Sequence, residues 1–285
     1  MDFKSFEEQV FFSTVRIVTS NTNGGNGSSI GTGFLYCAPL PSLKDRSVIL
    51  LISNRHVLNN PSSAISLIFH KKDLAHPDRP DLGKTFSISD KNYTGVYCGH
   101  PNSDIDLACI NISMITQPEH GIYFKHLNPS LLPTFNEEKL LPGNDIYFVG
   151  YPENRFDIQH NLPIMRRGHI ASMPKIDFNG RSEFLIDAQV FPGSSGSPVF
   201  TAIDGQVKLL GVISQTMIKN AQLQAVPVVH TLAIQQVLGL GIVIKITRVK
   251  ELIEEASKQL ESRIRSQGQA LNNSLKEPEN TSPSR

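Results

Sequence analysis

The sequence has few of the features that mark secreted, metal-binding or membrane-spanning proteins. It has only three cysteines, Cys37, Cys98 and Cys109, and neither a Cys-x-x-Cys nor a His-Glu-x-x-His motif. Such a sparse, odd set of thiols argues against a disulfide framework and against a zinc cluster. There is no run of 18 apolar residues, and the acidic N-terminus does not lead into an apolar stretch as a secretory signal would. We therefore expect a cytoplasmic protein with no membrane contact, no metal and no other cofactor.

An excess of charge of either sign is also lacking. The 27 basic and 26 acidic side chains leave a net charge of +1. This near-balance provides no attraction for nucleic acid or for an anionic membrane. The glycine-rich stretch 24–33 lacks the Gly-Lys-Ser/Thr that would cradle phosphates. We therefore expect no nucleic-acid partner.

Short apolar or alternating segments recur between turn-rich breaks, and β-branched residues are frequent in them. Because side chains alternate between the two faces of a strand, this pattern predicts strands. Many short strands without interleaved helices favour an all-β sandwich or barrel over a parallel sheet. The predicted strands are 10–20, 33–36, 47–53, 64–70 and 105–112, followed by 145–151, 162–171, 182–188, 198–202, 206–215 and 241–246.

Three stretches interrupt or end the strand pattern. Residues 21–29 are rich in Asn, Gly and Ser and predict a loop, and the proline-rich stretch 117–138 is interpreted as the crossover between two β-barrels. An amphipathic helix is predicted over 248–266, and the composition of 267–285 predicts a disordered tail. The apolar stripe of that helix consists of Val249, Leu252, Ile253, Ala256, Leu260 and Ile264.

Three polar segments contain the residue types of nucleophilic catalysis. His56 follows an apolar segment, Asp104 and Asp106 precede another, and Ser195 lies in Gly193-Ser194-Ser195-Gly196-Ser197-Pro198. A serine hydroxyl needs a base to take its proton, histidine is such a base near neutral pH, and a carboxylate holds the ring in the required tautomer. Glycines beside the nucleophile let the backbone turn tightly, so that amide groups can bind an oxyanion. The pattern predicts a serine hydrolase, with the two aspartates undecided because positions two apart share a strand face.

These segments resemble those of the trypsin/chymotrypsin-like peptidases, especially bacterial branches near the Deg/HtrA proteases. The serine segment is similar to that family's Gly-Asp/Asn-Ser-Gly-Gly-Pro, and Ser53-Asn54-Arg55-His56-Val57 is similar to its histidine segment, in the same order along the chain. Gly31-Thr32-Gly33-Phe34 resembles the strand before the histidine, and Leu210-Gly211-Val212-Ile213-Ser214 resembles the strand along the substrate cleft. The family's aspartate precedes an apolar, a small and an apolar residue, as Asp106 does here.

The resemblance implies a fold, a reaction and a set of site residues. The fold would be two six-stranded antiparallel β-barrels, 1–116 carrying histidine and aspartate and 139–247 carrying serine, followed by the C-terminal amphipathic helix. The activity would be that of a serine endopeptidase that forms an acyl-enzyme on protein or peptide substrates. His56, Asp106 and Ser195 would form the catalytic triad, and the main-chain amides of Gly193 and Ser195 the oxyanion hole.

The sequence also departs from the pattern of trypsin-type zymogens. Those proteins have an aspartate directly before the nucleophile, which pairs with a new N-terminal amine after cleavage, whereas Ser194 occupies that position here. Arg16-Ile17-Val18 resembles a cleavage site only superficially, because the glycines that should follow are missing. We therefore expect activity without proteolysis at Arg16.

The implied substrate-binding residues are uncharged. Gln189 occupies the position six before the nucleophile, which lies at the base of the family's specificity pocket, and Ser214, Gln215 and Thr216 are expected nearby. This set does not support a demand for Arg or Lys before the scissile bond, and a small or medium uncharged residue is expected there. His169 could approach the same pocket, although a solvated strand end is the favoured interpretation.

Two other functions compete with peptide hydrolysis. One is a peptide-binding module with the same fold that has lost turnover; an intact triad and oxyanion motif argue against it. The other is an acyl-hydrolase of a different fold, which would need Gly-x-Ser-x-Gly and the order Ser, Asp, His. Here histidine comes first, which opposes that class. The sequence does not identify a regulatory protein partner.

Overall fold

A computed structural model of the chain describes residues 3–20, 28–58, 60–224 and 231–274. Strands dominate these ranges, with one short helix near the N-terminus and one long helix at the C-terminal end. The first half contains α1 (Phe6–Ser13), β1 (Thr14–Ser20), β2 (Ser28–Pro39), β3 (Ser47–Ser53), β4 (Ala64–Lys72), β5 (Pro80–Asp90), β6 (Tyr97–Gly99), β7 (Ala108–Asn111) and β8 (Ile122–Tyr123). The second half contains β9 (Asp145–Gly150), β10 (Ile164–Ile170), β11 (Glu183–Asp187), β12 (Pro198–Ile203), β13 (Gln206–Gln224), β14 (Thr231–Lys245) and α2 (Ile246–Ser274).

The strands form two antiparallel units, which confirms the predicted all-β class with a C-terminal helix. The C-terminal unit is a closed barrel of six strands in the order β10-β11-β14-β13-β12-β9, as expected. The N-terminal unit has eight strands in the order β5-β4-β1-β2-β3-β7-β6, with β8 paired to β4. Its strand count exceeds the expected six because β5 and β8 both pair with β4, and its hydrogen-bonded path is open in the part of the chain that the structure describes.

Strands β2 and β3 separate two hydrophobic clusters, because their successive side chains point to opposite faces. Leu35 and Leu51 are fully buried in the cluster inside the N-terminal sheet. Phe34 and Ile52 are fully buried in the cluster that continues into the C-terminal barrel and α2. Burial on both faces explains why β3 is an uninterrupted apolar run in the sequence. It also holds rigidly the end of β3 from which His56 follows.

The N-terminal segment corrects one prediction. Residues 10–20 were expected to be a single strand, but residues 10–13 belong to α1 and β1 starts at Thr14. Ser5 caps the helix: its hydroxyl accepts from the Glu8 amide, and the Glu8 carboxylate accepts from the Ser5 amide. This capping box satisfies amides that the first helical turn leaves free. The Ser-x-x-Glu pattern was present in the sequence and could have revealed the helix.

The C-terminal elements are longer than predicted. Strands β13 and β14 pair from Gly211 and Lys245 out to Gln224 and Thr231, well beyond the predicted 206–215 and 241–246. Helix α2 buries Val249, Leu252, Ile253 and Ala256, as its apolar stripe predicted, with Leu260 and Ile264 packed at the edge. The helix continues to Ser274, so residues 267–274 are not part of a disordered tail. This stretch contains no proline and several good helix formers, which lets the helix propagate.

The predicted loop, tail, crossover and domain boundaries have different outcomes. Most of the predicted loop 21–29 and the last eleven residues of the predicted tail lie outside the described residues. The crossover 117–138 contains β8, which pairs with β4. The boundaries 1–116, 139–247 and 248–266 stay predictions.

In the part of the chain that the structure describes, neither helix is both long and apolar enough to cross a membrane.

Candidate active site

The pairing of β3 with β7 brings the histidine and aspartate segments together. Ser53 at the end of β3 lies opposite Ala108 at the start of β7. In an antiparallel pair, the residues just after one strand and just before the other meet at the same edge of the sheet. His56 and Asp106 are therefore neighbours although 50 residues separate them in the sequence.

The Asp106 carboxylate is held by donors from both halves of the molecule. Its Oδ2 lies 2.6 Å from His56 Nδ1, and its Oδ1 accepts from the His56 main-chain amide at 2.9 Å. The Ser214 hydroxyl donates to Oδ2 at 3.3 Å, and the Asn54 side chain donates to the Asp106 main-chain carbonyl at 2.9 Å. A carboxylate beside Nδ1 assigns the ring proton to that nitrogen. Nε2 is then the basic nitrogen, and it has no hydrogen-bond partner among the described residues.

Asp104 lies apart from this arrangement. The sequence placed both aspartates on one strand face, but β7 begins only at Ala108, so neither lies in a strand. The Asn102 side chain accepts from the Asp104 amide at 2.9 Å, and the Ile105 amide bonds to the Asn102 carbonyl. Asparagine favours such a local turn because its side chain satisfies a backbone donor two residues on. The turn leaves Asp104 exposed and Asp106 against His56.

Ser195 lies in the turn that precedes β12. It is half-buried, and its hydroxyl donates to the main-chain carbonyl of Ser214 at 3.0 Å. Within the described residues, no hydrogen bond joins Ser195 to His56. Ser214 therefore connects the candidate nucleophile to the aspartate, since its carbonyl accepts from Ser195 and its hydroxyl donates to Asp106. Catalytic hydrogen bonds are often loose without substrate, so this rotamer is compatible with a nucleophile.

Two glycines shape the turn around Ser195. Gly193 and Gly196 both have a φ of +88°, a region that side chains disfavour. A Cβ on Gly193 would lie 2.4 Å from the Tyr151 carbonyl oxygen, and a Cβ on Gly196 would lie 1.8 Å from the Thr32 carbonyl oxygen. Both positions therefore need glycine for conformation as well as for space.

The turn leaves two main-chain donors free. The Pro192 carbonyl accepts from the Glu153 amide at 2.5 Å, and the Ser194 carbonyl accepts at 3.0 Å from the amide three residues further on. In a trans peptide the N–H points opposite to the carbonyl that precedes it. The amides of Gly193 and Ser195 thus point away from these bonds, and neither donates to a group in the described ranges. Two such amides can stabilise a developing oxyanion.

The predicted substrate-binding residues are distributed unevenly. Gln189 and Gln215 are exposed, whereas Ser214 is buried and takes part in the contacts with Ser195 and Asp106. The Thr216 hydroxyl donates to the Val190 carbonyl at 2.7 Å and so ties β13 to the segment before the nucleophile. His169 is exposed and its Nε2 lies 3.1 Å from Asp145 Oδ1, as expected of a solvated strand end.

A polar cleft of about 390 Å³ opens beside Asp106, Ser214 and Gln215. Burial raises the pKa of the Glu183 carboxyl in its wall, although nearby Arg181 opposes that shift. The cleft thus offers both signs of charge next to the candidate triad. Its charged lining also includes Asp104 and Arg248. In the described ranges, this cleft included, no group of three or more His, Cys, Asp or Glu side chains is arranged to hold a metal ion.

Sequence reasoning missed two contributors to the site. Thr32 bonds to the serine turn from the other half of the molecule, and Ser214 acts through its hydroxyl as well as its main chain. Thr32 lies between Gly31 and Gly33, where a Cβ would meet Val57 at 2.4 Å and Ile17 at 2.8 Å. A hydroxyl between two glycines in a buried strand was the available signal, because glycine in a strand often marks a close approach of other groups.

The class of protein is given by the fold together with a comparison of the sequence with known families. A scan against protein-family profiles matched residues 31–212, more than half of the chain, to the trypsin-like peptidase domain. The chain therefore belongs to the trypsin-like peptidase family, and its fold is chymotrypsin-like. A search of curated proteins found no match.

Solved structures show a distant likeness. The active form of the Rv3671c protease from M. tuberculosis is 17% identical, with 87% of this chain and 82% of that chain covered and a TM-score of 0.47. The thermostable serine protease AL20 from an extremophilic microorganism is 11% identical, with 87% and 98% covered and a TM-score of 0.48. An inactivated protease paralogue of the scabies mite is 14% identical, with 88% and 96% covered and a TM-score of 0.48. Likeness at this level carries no information about activity.

Proposed function

We propose that this chain is a serine endopeptidase that cleaves peptide bonds through an acyl-enzyme. The observation that carries the proposal is the continuous set of contacts from Ser195 through Ser214 and Asp106 to His56. Ser195 is the nucleophile, His56 the general base, and Asp106 the group that orients the ring. The free amides of Gly193 and Ser195 bind the oxyanion.

The proposed reaction needs one rotation and then two transfers. The Ser195 hydroxyl turns from the Ser214 carbonyl to His56 Nε2, which exchanges one neutral hydrogen bond, worth roughly 0.5–1.5 kcal/mol, for another. Its oxygen attacks the substrate carbonyl while Nε2 takes the proton, and the imidazolium then gives that proton to the leaving amine. Water repeats the sequence on the acyl-enzyme and regenerates the serine.

The substrates proposed are proteins or peptides with an uncharged residue before the scissile bond. Exposed Gln189 and half-buried Thr216 bring no charge to the expected pocket. The neighbouring cleft carries acidic and basic side chains and suits a polar stretch of peptide. Cleavage-site profiling on a proteome-derived peptide library tests this preference. The cytoplasmic location expected from the sequence is also part of the proposal, and cell fractionation tests it.

The alternative is a catalytically silent peptide-binding module of the same fold. The observation in its favour is the Ser195 hydroxyl, which bonds to a main-chain carbonyl instead of the base. A fluorophosphonate probe separates the two functions, because only an activated serine reacts with it. Labelling of the wild type supports the peptidase. A wild type that binds peptides without being labelled supports the silent module.

Ser195→Ala identifies the reacting residue. We expect it to abolish labelling and to lower turnover on the order of 10⁶-fold, with an unchanged thermal midpoint. Ser266→Ala is the matched control, since the Ser266 hydroxyl also donates to a main-chain carbonyl at 3.0 Å but lies on α2, outside the candidate site. More than a few per cent of wild-type activity in Ser195→Ala would exclude Ser195 as the nucleophile.

A further inference from the structure

The residue before the candidate nucleophile cannot hold the oxyanion turn by charge. Ser194 is neutral and 1% exposed, and its hydroxyl has no hydrogen-bond partner among the described residues. The turn nevertheless holds Gly193 and Gly196 at positive φ. A strained turn persists only where its surroundings determine it, so other contacts must fix it.

Thr32 on β2 supplies such contacts from the opposite half of the molecule. Its amide donates to the Ser195 carbonyl at 2.9 Å, and its hydroxyl donates to the Gly193 carbonyl at 2.8 Å. The same hydroxyl oxygen accepts from the Tyr151 amide at 3.0 Å. The Thr32 carbonyl accepts from the Ser53 hydroxyl at 2.6 Å, directly before the histidine segment. Every polar group of this fully buried residue is therefore used.

The surrounding backbone is built closely around Thr32. A Cβ on Gly150 would lie 2.8 Å from the Thr32 hydroxyl oxygen, and a Cβ on Gly196 would lie 1.8 Å from its carbonyl oxygen. Two glycines thus make room for one threonine. The hydroxyl has both its donor and its acceptor roles satisfied in a site that excludes water, where loss of either partner is most costly.

These bonds act on the peptide planes next to those that carry the oxyanion donors. The carbonyls of Pro192 and Ser194 are held within the C-terminal half, and those of Gly193 and Ser195 are held by Thr32. Because each peptide is planar, fixing four successive carbonyls fixes the amides between them. The planes of the Gly193 and Ser195 amides are held through the Pro192 and Ser194 carbonyls, and Thr32 fixes the planes that alternate with them. Thr32 therefore limits the rotations at Gly193, Ser194 and Ser195 that would turn these amides away.

We propose that Thr32 is the positioning residue of the oxyanion turn, and that it holds this turn by neutral hydrogen bonds across the junction of the two halves, without a buried ion pair. The inference rests on the proposed peptidase function. Thr32 touches no reacting atom and acts through Gly193 and Ser195. It also explains how the turn can form without a new N-terminal amine.

The test replaces the Thr32 hydroxyl with a methyl group of similar shape. Thr32→Val keeps the branched side chain and removes the bonds to Gly193 and Tyr151, whereas Thr32→Ser keeps the hydroxyl. Thr201→Val is the matched control, because the Thr201 hydroxyl is also buried and donates to a main-chain carbonyl at 2.7 Å, that of Asp145 on β9. If Thr32→Val does not fold, Thr32→Ala takes its place.

Turnover and oxyanion binding are the readouts. Removing an oxyanion donor typically costs about 10²–10³-fold in kcat, and a positioning residue should cost somewhat less, about 10–100-fold. We expect Thr32→Val to lower kcat by about 10–100-fold and to change KM less than about threefold. We also expect it to lose affinity for a peptide aldehyde by a matching factor, because the adduct of an aldehyde carries an oxyanion. Thr32→Ser should recover kcat to within about threefold of wild type, and Thr201→Val should retain it.

A second measurement does not need turnover. The ¹H–¹⁵N signals of the Gly193 and Ser195 amides should move in Thr32→Val and stay in place in Thr201→Val. If the wild type is neither labelled nor active, the peptidase proposal fails and these signals still decide the role of Thr32. If the wild type is active but Thr32→Val behaves as Thr201→Val in kcat, aldehyde affinity and amide signals, Thr32 is a structural residue only and the inference is wrong.

Discussion

His56 in the N-terminal half is held mainly through the Asp106 side chain, whereas Ser195 in the C-terminal barrel is held mainly through the conformation of its backbone turn. His56 is fixed by Asp106, whose carboxylate accepts three hydrogen bonds. Ser195 is fixed by a turn with two glycines at positive φ and four anchored carbonyls. A side-chain contact depends on one functional group, while a turn of this kind depends on the absence of side chains. The two halves should therefore respond to different kinds of substitution.

Where the two halves meet, side chains of one half bond to loops and turns of the other. Thr32, Arg16 and His70 of the N-terminal sheet each bond to a loop or turn of the C-terminal half, at Gly193, Asn154 and His160 respectively. These contacts join residues that are 161, 138 and 90 positions apart. The relative placement of histidine and serine thus depends on contacts that lie outside the triad.

After the loss of Ser195 itself, the largest effect on turnover is expected for the side-chain contact in the N-terminal half. Asp106→Asn should lower kcat by roughly 10⁴-fold, because an amide beside Nδ1 allows the wrong histidine tautomer. Asp104→Asn is the control, and it should retain kcat within a few-fold because its side chain does not contact His56. Steady-state kinetics on one peptide substrate compare the two. The reverse ranking would make Asp104 the third member of the triad.

The backbone turn of the C-terminal half is expected to respond to added volume. Gly196→Ala should lower the free energy of unfolding by roughly 3–5 kcal/mol and abolish labelling of Ser195, because its Cβ would overlap the Thr32 carbonyl at positive φ. Gly205→Ala also has positive φ but open space, and should cost about 1 kcal/mol. Denaturant unfolding and probe labelling measure both effects. Equal losses for the two variants would show that φ alone matters.

His70 makes the stability of the junction depend on pH. Burial lowers the pKa of His70, whose Nε2 bonds to the His160 carbonyl at 2.9 Å. The folded state therefore favours the neutral ring, and this contribution is complete above the unfolded pKa of about 6.5 and is lost as pH falls below it. His70→Gln, which keeps an N–H donor, should lose less stability between pH 7.5 and pH 5.0 than wild type. Thermal midpoints with the same pH dependence in both proteins would contradict this assignment.

The smallest effect is expected at the apparent cleavage site. Ile17 is fully buried within β1 and pairs with Gly31 on one side and Leu67 on the other, so the Arg16–Ile17 bond lies inside a central strand. Arg16→Ala should keep turnover within about twofold of wild type and cost roughly 1 kcal/mol through the lost contact with Asn154. Mass spectrometry of the N-terminus accompanies the assay. Activity that appears only after cleavage at Arg16 would overturn this account.

Much of the fold could be predicted because its signals are local. The apolar run of β3, the stripe of α2 and most strands of the C-terminal barrel follow from periodicities of two and 3.6 residues. Helix α1 was missed because its apolar residues were read as the start of a strand, although the Ser5–Glu8 capping box was present. Strand β5 was missed as well, since its weak alternation becomes significant only through its pairing with β4.

The features of the candidate site also divide into those that local sequence predicts and those that depend on tertiary packing. By itself, the sequence determined the segments of His56 and Ser195 and the need for glycine beside the nucleophile, because residue type and short spacing decide these features. The resemblance favoured Asp106 over Asp104, and only the tertiary structure revealed that a turn outside any strand separates the two aspartates and brings Asp106 against His56. The tertiary structure alone revealed the bond from Thr32 to Gly193, 161 residues away. Hydrogen bonds between residues so distant in sequence depend on how the two halves pack, and local patterns carry no record of that packing.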